Sequence, residues 1–174
     1  LRDTSMYLNC SRHDLDGFLA GQRDAPARSI RHLHETRQYH PMLDLFEGCL
    51  NGPELPEYDP LYFRRLAARE LFQRQIVNLM AGLRLDALIF PDVQIVPPTR
   101  EQLNARVWTT LTYPTNTLIA SQAWLPAITV PAGFAHDTLP VGLEFMGKPY
   151  DEATLFRLAF AFEQLTHHRR APAL

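Results

Sequence analysis

The sequence predicts an α/β fold in which a small, incomplete sheet is flanked by helices. Three features carry this: a long amphipathic stretch after Asp59, three short apolar runs bounded by prolines and turn residues, and a last stretch with one apolar helical face. The chain has 174 residues, 46% of them hydrophobic and 21% charged, with a mean hydropathy of -0.19. That composition is globular, not disordered or collagen-like, and the length allows one domain or two small ones. An irregular helical and loop segment is expected over 1–58 and an α/β portion over 59–174.

Residues 1–58 contain Pro26, Pro41, Pro53 and Pro56, which lack an amide donor and interrupt long helices, so short helices and loops are expected. Asp59 can then serve as N-cap, with Pro60 in the first turn of a strong helix. Leu61, Ala68, Phe72, Ile76, Leu79 and Leu83 share a narrow sector at about 100° per residue. Phe63, Leu66 and Val77 add a second apolar edge, which predicts packing on more than one side. Asp86 to Pro91 reads as a turn and a short buried strand, and Pro97-Pro98 as a loop.

A helix is expected from Thr115 or Asn116 to Ala123, capped by Thr115 and stopped before Pro126. Ala127–Val130 and Val141–Met146 read as strands joined in hairpin fashion across Gly133 to Pro140. Pro126 and Pro131 bracket the first of them, while Gly133 and Gly142 permit close backbone approach or unusual dihedral angles. Asp151 opens a last helix to about His168, with Leu155, Leu158, Ala159, Phe162 and Leu165 on one face. Nearly apolar strands belong in the interior of a wide sheet, and three of them alone would leave open edges.

Several function classes fall away on composition. Seventeen basic and nineteen acidic residues give a net charge of -2, too balanced for a nucleic-acid footprint or an anionic membrane surface. No apolar run approaches the roughly 18 residues of a membrane-spanning helix. Cys10 and Cys49 lack CxxC spacing, so free thiols in a reducing cytoplasm are expected. The chain opens on Leu1 and not methionine, so a start inside a longer translated chain, or after a trimmed tag, is expected.

Nucleophilic hydrolysis needs an activated hydroxyl or thiol, a base and oxyanion donors. The serines are Ser5, Ser11, Ser29 and Ser121, none in a Gly-x-Ser-x-Gly or Ser-x-x-Lys pattern, and Lys148 is the only lysine. Ser121 reads as structural. His32, His34 and His40 cluster among Arg28, Arg31 and Arg37, whose positive field disfavours a cation; a metal enzyme built on them ranks last among the readings. Glu144 is either a tuned carboxylate or, preferred here, an outward-facing residue at the sheet margin. No glycine-rich phosphate loop occurs, and no cofactor or metal is expected.

The most specific signal is a series of pieces in order: Asp86-Ala-Leu-Ile-Phe-Pro after a long helix, Asn116, Leu125-Pro-Ala-Ile-Thr-Val-Pro-Ala-Gly133, Leu139-Pro-Val-Gly-Leu-Glu-Phe-Met-Gly147, and Tyr150-Asp-Glu-Ala-Thr-Leu155. Over about residues 60 to 168 this series resembles the C-terminal portion of the amidase signature family. The resemblance implies a partial mixed sheet flanked by helices, forming one wall of an acyl pocket for carboxamide hydrolysis. It also implies that the catalytic lysine and two serines lie in a Gly/Ser-rich N-terminal portion. No such stretch occurs here, and Lys148, in a Gly-Lys-Pro turn, does not take the catalytic lysine's part.

Catalytic residues are therefore not expected in this chain, which should be silent alone; its partners would be the missing N-terminal portion and a small amide substrate. Thr115, Asn116, Gln122 and Trp124 are the candidate substrate-binding residues, polar or aromatic groups near a helix start and a strand entrance. Capping, backbone bonding and core filling are the structural alternatives for Thr115, Asn116 and Trp124. The competing reading is a stand-alone, non-catalytic α/β binding module that closes its sheet edge by dimerisation.

Overall fold

A computed structural model describes residues 2–171. The chain forms two compact units, Arg2–Ala68 and a second from Arg69 onward, so the division falls inside a helix and not at its start.

In the first unit, α1 (Tyr7–Gly21) occupies a proline-free stretch and is longer than the short helices expected. The prolines take effect afterwards, where α2 (Ile30–Glu35) and α3 (Phe46–Leu50) are brief. Ser29 caps α2 by accepting from the His32 amide at 3.1 Å, and Asp16 Oδ1 accepts from the Ile30 amide at 2.7 Å. Met6, Ala27, Ile30 and Cys49 are buried. A polar joint completes the unit: buried Asn9 donates to Asp59 Oδ2 and accepts from Arg65, which also meets Asp59 at 3.2 Å. Asp59 accepts from the Leu61 amide as well, and that bond leads the interactions that pull its carboxyl below the usual range.

Helix α4 (Tyr62–Gly82) begins two residues after Pro60. Its buried stripe is Phe72, Ile76, Val77 and Met80, not the predicted row through Leu79 and Leu83. Val77 of the second predicted edge joins this core and Leu66 is half-buried, but Leu61, Phe63, Leu71, Leu79 and Leu83 are exposed, so the expected packing on more than one side is met only in part among the described residues. Periodicity locates an apolar sector, but the neighbouring element selects which part of it is covered.

The second unit contains β1 (Leu88–Pro91), α5 (Arg100–Asn104), α6 (Leu118–Ala123), β2 (Ala127–Ala135), β3 (Leu139–Met146) and α7 (Glu152–Thr166). The strands are ordered β1-β3-β2 and every pair is antiparallel; the parallel pairing that a mixed sheet also needs is not present among the described residues. The predicted hairpin forms, with longer strands than expected, around His136 and Asp137 at positive φ. Pro131 lies inside β2 instead of closing it, and the register shifts between Pro131 and Gly133, where Gly133 adopts φ 126°.

Alternation along β3 builds two cores. On one face Met146 packs with Ile76, Met80, Ala120, Ala123 and Leu125; on the other Val130 and Phe145 meet Leu155 and Ala159 of α7. Leu158 and Phe162 join the second core as predicted, but Leu165 is 84% exposed and does not. Helix α5 lies where only a loop is expected after Pro98, although Thr99 and Gln102 form a capping box recognisable as Thr-x-x-Gln.

Candidate functional site

The four predicted site residues divide between the two ends of α6. At its N-terminal end, Thr115 does not cap the helix: its hydroxyl bonds Thr117 Oγ1 at 2.9 Å and donates to the Asp92 carbonyl at 3.3 Å. Asn116 anchors its segment to the end of β1. Its amide donates to the Asp92 carbonyl at 2.8 Å, its Nδ2 to the Pro91 carbonyl at 2.8 Å, and its Oδ1 accepts from Gln94 at 3.1 Å. Helix α6 starts only at Leu118, since residues 115–117 are occupied in this junction.

Asp92 is the centre of that corner. Its amide donates to the Gly142 carbonyl at 3.3 Å, and its Oδ1 accepts from Thr129 Oγ1 at 3.1 Å. Glycine at 142 lets the Asp92 carboxylate lie directly over β3, the close approach expected from this residue type. Glu144 shares the neighbourhood, and here the outward-facing reading is wrong: Glu144 is 4% exposed, and its Oε1 is buried without a hydrogen-bond partner. Glu144 belongs to the central strand, opposite Phe90 and Thr129, so both flanks are sheet and not margin. Burial, and secondarily the Asp92 carboxylate, raises its carboxyl above the usual range.

At the other end of α6, Gln122 is buried and Trp124 is 47% exposed. Trp124 takes the left-handed conformation that ends the helix, φ 52° and ψ 42°. The α6 carbonyls are held by two residues one turn apart on α4. Arg69 donates to the Ser121 and Gln122 carbonyls at 2.8 and 2.9 Å, and Gln73 to those of Ala123 and Trp124 at 2.9 and 3.2 Å. The Arg69 guanidinium also stacks 4.8 Å from the Trp124 ring centre. Cations at a helix C-terminus complement its dipole. Trp124 then lines an open groove of about 900 Å³ with Glu70, Gln73, Arg74, Leu125, Pro126 and Tyr150 among its walls.

Arg69→Ala should therefore cost about 1–3 kcal/mol, the scale of hydrogen bonds to a charged donor, and shift the Trp124 emission. Arg69→Lys should recover little, since an ammonium cannot reproduce the planar fork. Urea unfolding followed by tryptophan fluorescence checks both.

Sequence reasoning missed Asp92, Arg69 and Gln73. Asp92 follows the recognised Phe90-Pro91 run directly, whereas Arg69 and Gln73 carry only an i, i+4 spacing common on helix surfaces. The other candidates serve structure: Ser121 Oγ donates to the Leu118 carbonyl at 3.2 Å, and His34 stacks with Tyr39 and Phe46. Among the described residues no three acidic, histidine or cysteine side chains gather as metal ligands, and no helix is long and apolar enough to cross a membrane.

Comparison with known proteins gives a consistent result. A glutamyl-tRNA(Gln) amidotransferase subunit from Geobacillus kaustophilus is 38% identical over 123 residues, covering 67% of this chain and 24% of that protein. The native peptide amidase of Stenotrophomonas maltophilia superposes with a TM-score of 0.73 and 30% identity, over 95% of this chain and 33% of the amidase. The corresponding glutamyl-tRNA(Gln) amidotransferase subunit from Thermotoga maritima, at 24% identity and a TM-score of 0.52 over 80% of this chain and 30% of that one, shares the fold. This chain thus spans about a quarter of the length of the curated relatives it matches. Residues 25–156 match the family described as Amidase, and the chain belongs to that family.

Proposed function

We propose that this chain is the C-terminal framework and pocket wall of an amidase-family hydrolase, which converts a carboxamide to a carboxylate with release of ammonia or an amine. The observation that carries the reading is the coverage: 95% of this chain superposes on only 33% of a peptide amidase, while no Gly/Ser-rich serine region occurs in these residues. The reactive lysine and serines belong, on this reading, to an N-terminal portion that is the chain's principal partner. Thr115 and Asn116, tied to the end of β1, and Gln122 and Trp124, at the far end of α6, are its proposed substrate-side residues. Peptide amidase and amidotransferase relatives give two substrate classes, a peptide amide and a tRNA-linked amide transfer, and nothing in the balanced charge favours RNA. Two cysteines without CxxC spacing, Cys10 and Cys49, support a reducing, cytoplasmic setting.

The chain alone should release no ammonia from simple carboxamides above the buffer rate, and should do so when co-expressed with a polypeptide carrying the N-terminal portion of the family fold. Turnover by the chain alone would overturn the reading. The second reading, a binding module that dimerises, is favoured by open strands at both sheet edges and by Ile89 of β1, which is 55% exposed. A stable dimer in light scattering, with no activity on co-expression, would favour it.

A further inference from the structure

We propose that Glu144 is a positioning residue: it holds a carboxyl proton beside the Asp92 carboxylate, and the pair fixes the corner from which Thr115 and Asn116 hang. The inference rests on the proposed function only in treating Thr115 and Asn116 as pocket residues. Glu144 lies on the central strand with one carboxyl oxygen, Oε1, buried and unpartnered, and negative charge on that oxygen has lost its water without gaining a donor. Neither Glu144 nor Asp92 takes part in an ion pair among the described residues, so no cation there compensates such a charge.

The surrounding elements agree. Strand β1 runs into Asp92, β2 presents the neutral Thr129, and α6 (Leu118–Ala123) carries no titratable residue. Helix α4 supplies Phe72, Ile76, Val77 and Met80 to the core on this face, while Arg69 and Gln73 are engaged on α6 carbonyls. Among the described residues the charge that acts on Glu144 is that of Asp92, and a like charge favours the neutral form of Glu144. Asp92 in turn is held by Thr129 and Gly142, and its carbonyl carries the Asn116 amide and the Thr115 hydroxyl. Charging Glu144 would push the Asp92 carboxylate from Thr129 and strain that carbonyl's two bonds.

The sign of the pH effect follows. A carboxyl that is easier to protonate in the folded state contributes stability at low pH, and that contribution is lost as pH rises from the unfolded value, about 4.3, through the raised folded one. Glu144→Gln keeps the shape and cannot ionise, so it should not show this loss.

The full 174-residue chain, labelled with 13C at its carboxyl carbons, would be titrated by NMR alongside Glu144→Gln and Asp92→Asn, with amide exchange followed at Asn116. A resonance absent from Glu144→Gln should titrate above the ordinary glutamate range, and move back toward that range in Asp92→Asn. Across the same step, Asn116 protection should fall about fivefold to tenfold in the unsubstituted chain, the worth of one net hydrogen bond, and stay level in Glu144→Gln. Should Glu144→Gln fail to fold, the shift of the midpoint in Asp92→Asn decides the pairing. Ordinary titration of Glu144 would overturn the proposal, and so would a raised midpoint with no response at Asn116. Neither readout uses amide hydrolysis, so loss of the amidase reading would leave this result standing, and the converse.

Discussion

Gly142→Ala is expected to destabilise the second unit by about 2–4 kcal/mol, combining an overpacking strain with loss of one hydrogen bond. An added Cβ would lie 2.0 Å from Asp92 Oδ2, and 2.9 Å from both Asp92 Cγ and Thr129 Cγ2. Relief by backbone movement is blocked, because β3 is paired on both sides and Gly142 is opposite Pro131. The Asp92 carboxylate must then move, giving up its bond from Thr129 Oγ1. Since Gly142 is not at positive φ, the penalty is steric and should depend on its neighbour. In an Asp92→Ala background the two nearest atoms are gone, and Gly142→Ala should cost less than half as much. Urea unfolding of the four chains in this cycle gives the coupling directly. Equal penalties in both backgrounds would remove Asp92 as the cause.

Met80→Ala should cost about 2–5 kcal/mol, the range for emptying a fully buried large side chain. Met80 has 0% exposure and is enclosed with Ile76, Ala120, Ala123, Leu125 and Met146. These residues come from α4, α6, the short α6–β2 connection and β3, held by Arg69, Gln73 and the strand ladder, so collapse into the cavity should be limited. Met80→Leu, which nearly conserves volume, should stay below about 1.5 kcal/mol. Leu79, next in sequence, is 52% exposed, and Leu79→Ala should fall within about 0.5 kcal/mol of the parent. Thermal and urea denaturation of these variants would distinguish the observed buried stripe from one passing through Leu79 and Leu83.

The family pieces are legible because each combines strong local signals. Pro91 and Pro126 punctuate apolar runs, the Gly133 to Pro140 stretch announces a turn, and Asp151 precedes a helix whose Leu155 and Ala159 are buried. Gly142 is recognisable as a place of close approach. The identity of the approaching group, Asp92, is not, since the two are fifty residues apart and nothing local links them. Thr115 shows the limit of capping rules: a threonine before a helical run satisfies the pattern, but the Asp92 carbonyl competes successfully for its hydroxyl. Burial of Glu144 escapes the sequence for a related cause. An acidic residue in an apolar strand looks like a surface position until both flanking strands are known.

Local chemistry therefore determined the α/β class, the hairpin, the last helix and the resemblance to amidases, because apolar period, proline and glycine act within a few residues of themselves. Only the tertiary structure decided that Met80 and not Leu79 enters the core, that Arg69 and Gln73 hold α6, and that Glu144 is sealed beside Asp92. Those outcomes depend on which distant segments meet. Burial and electrostatic cost are properties of the assembled neighbours, and a residue's type and spacing do not contain them.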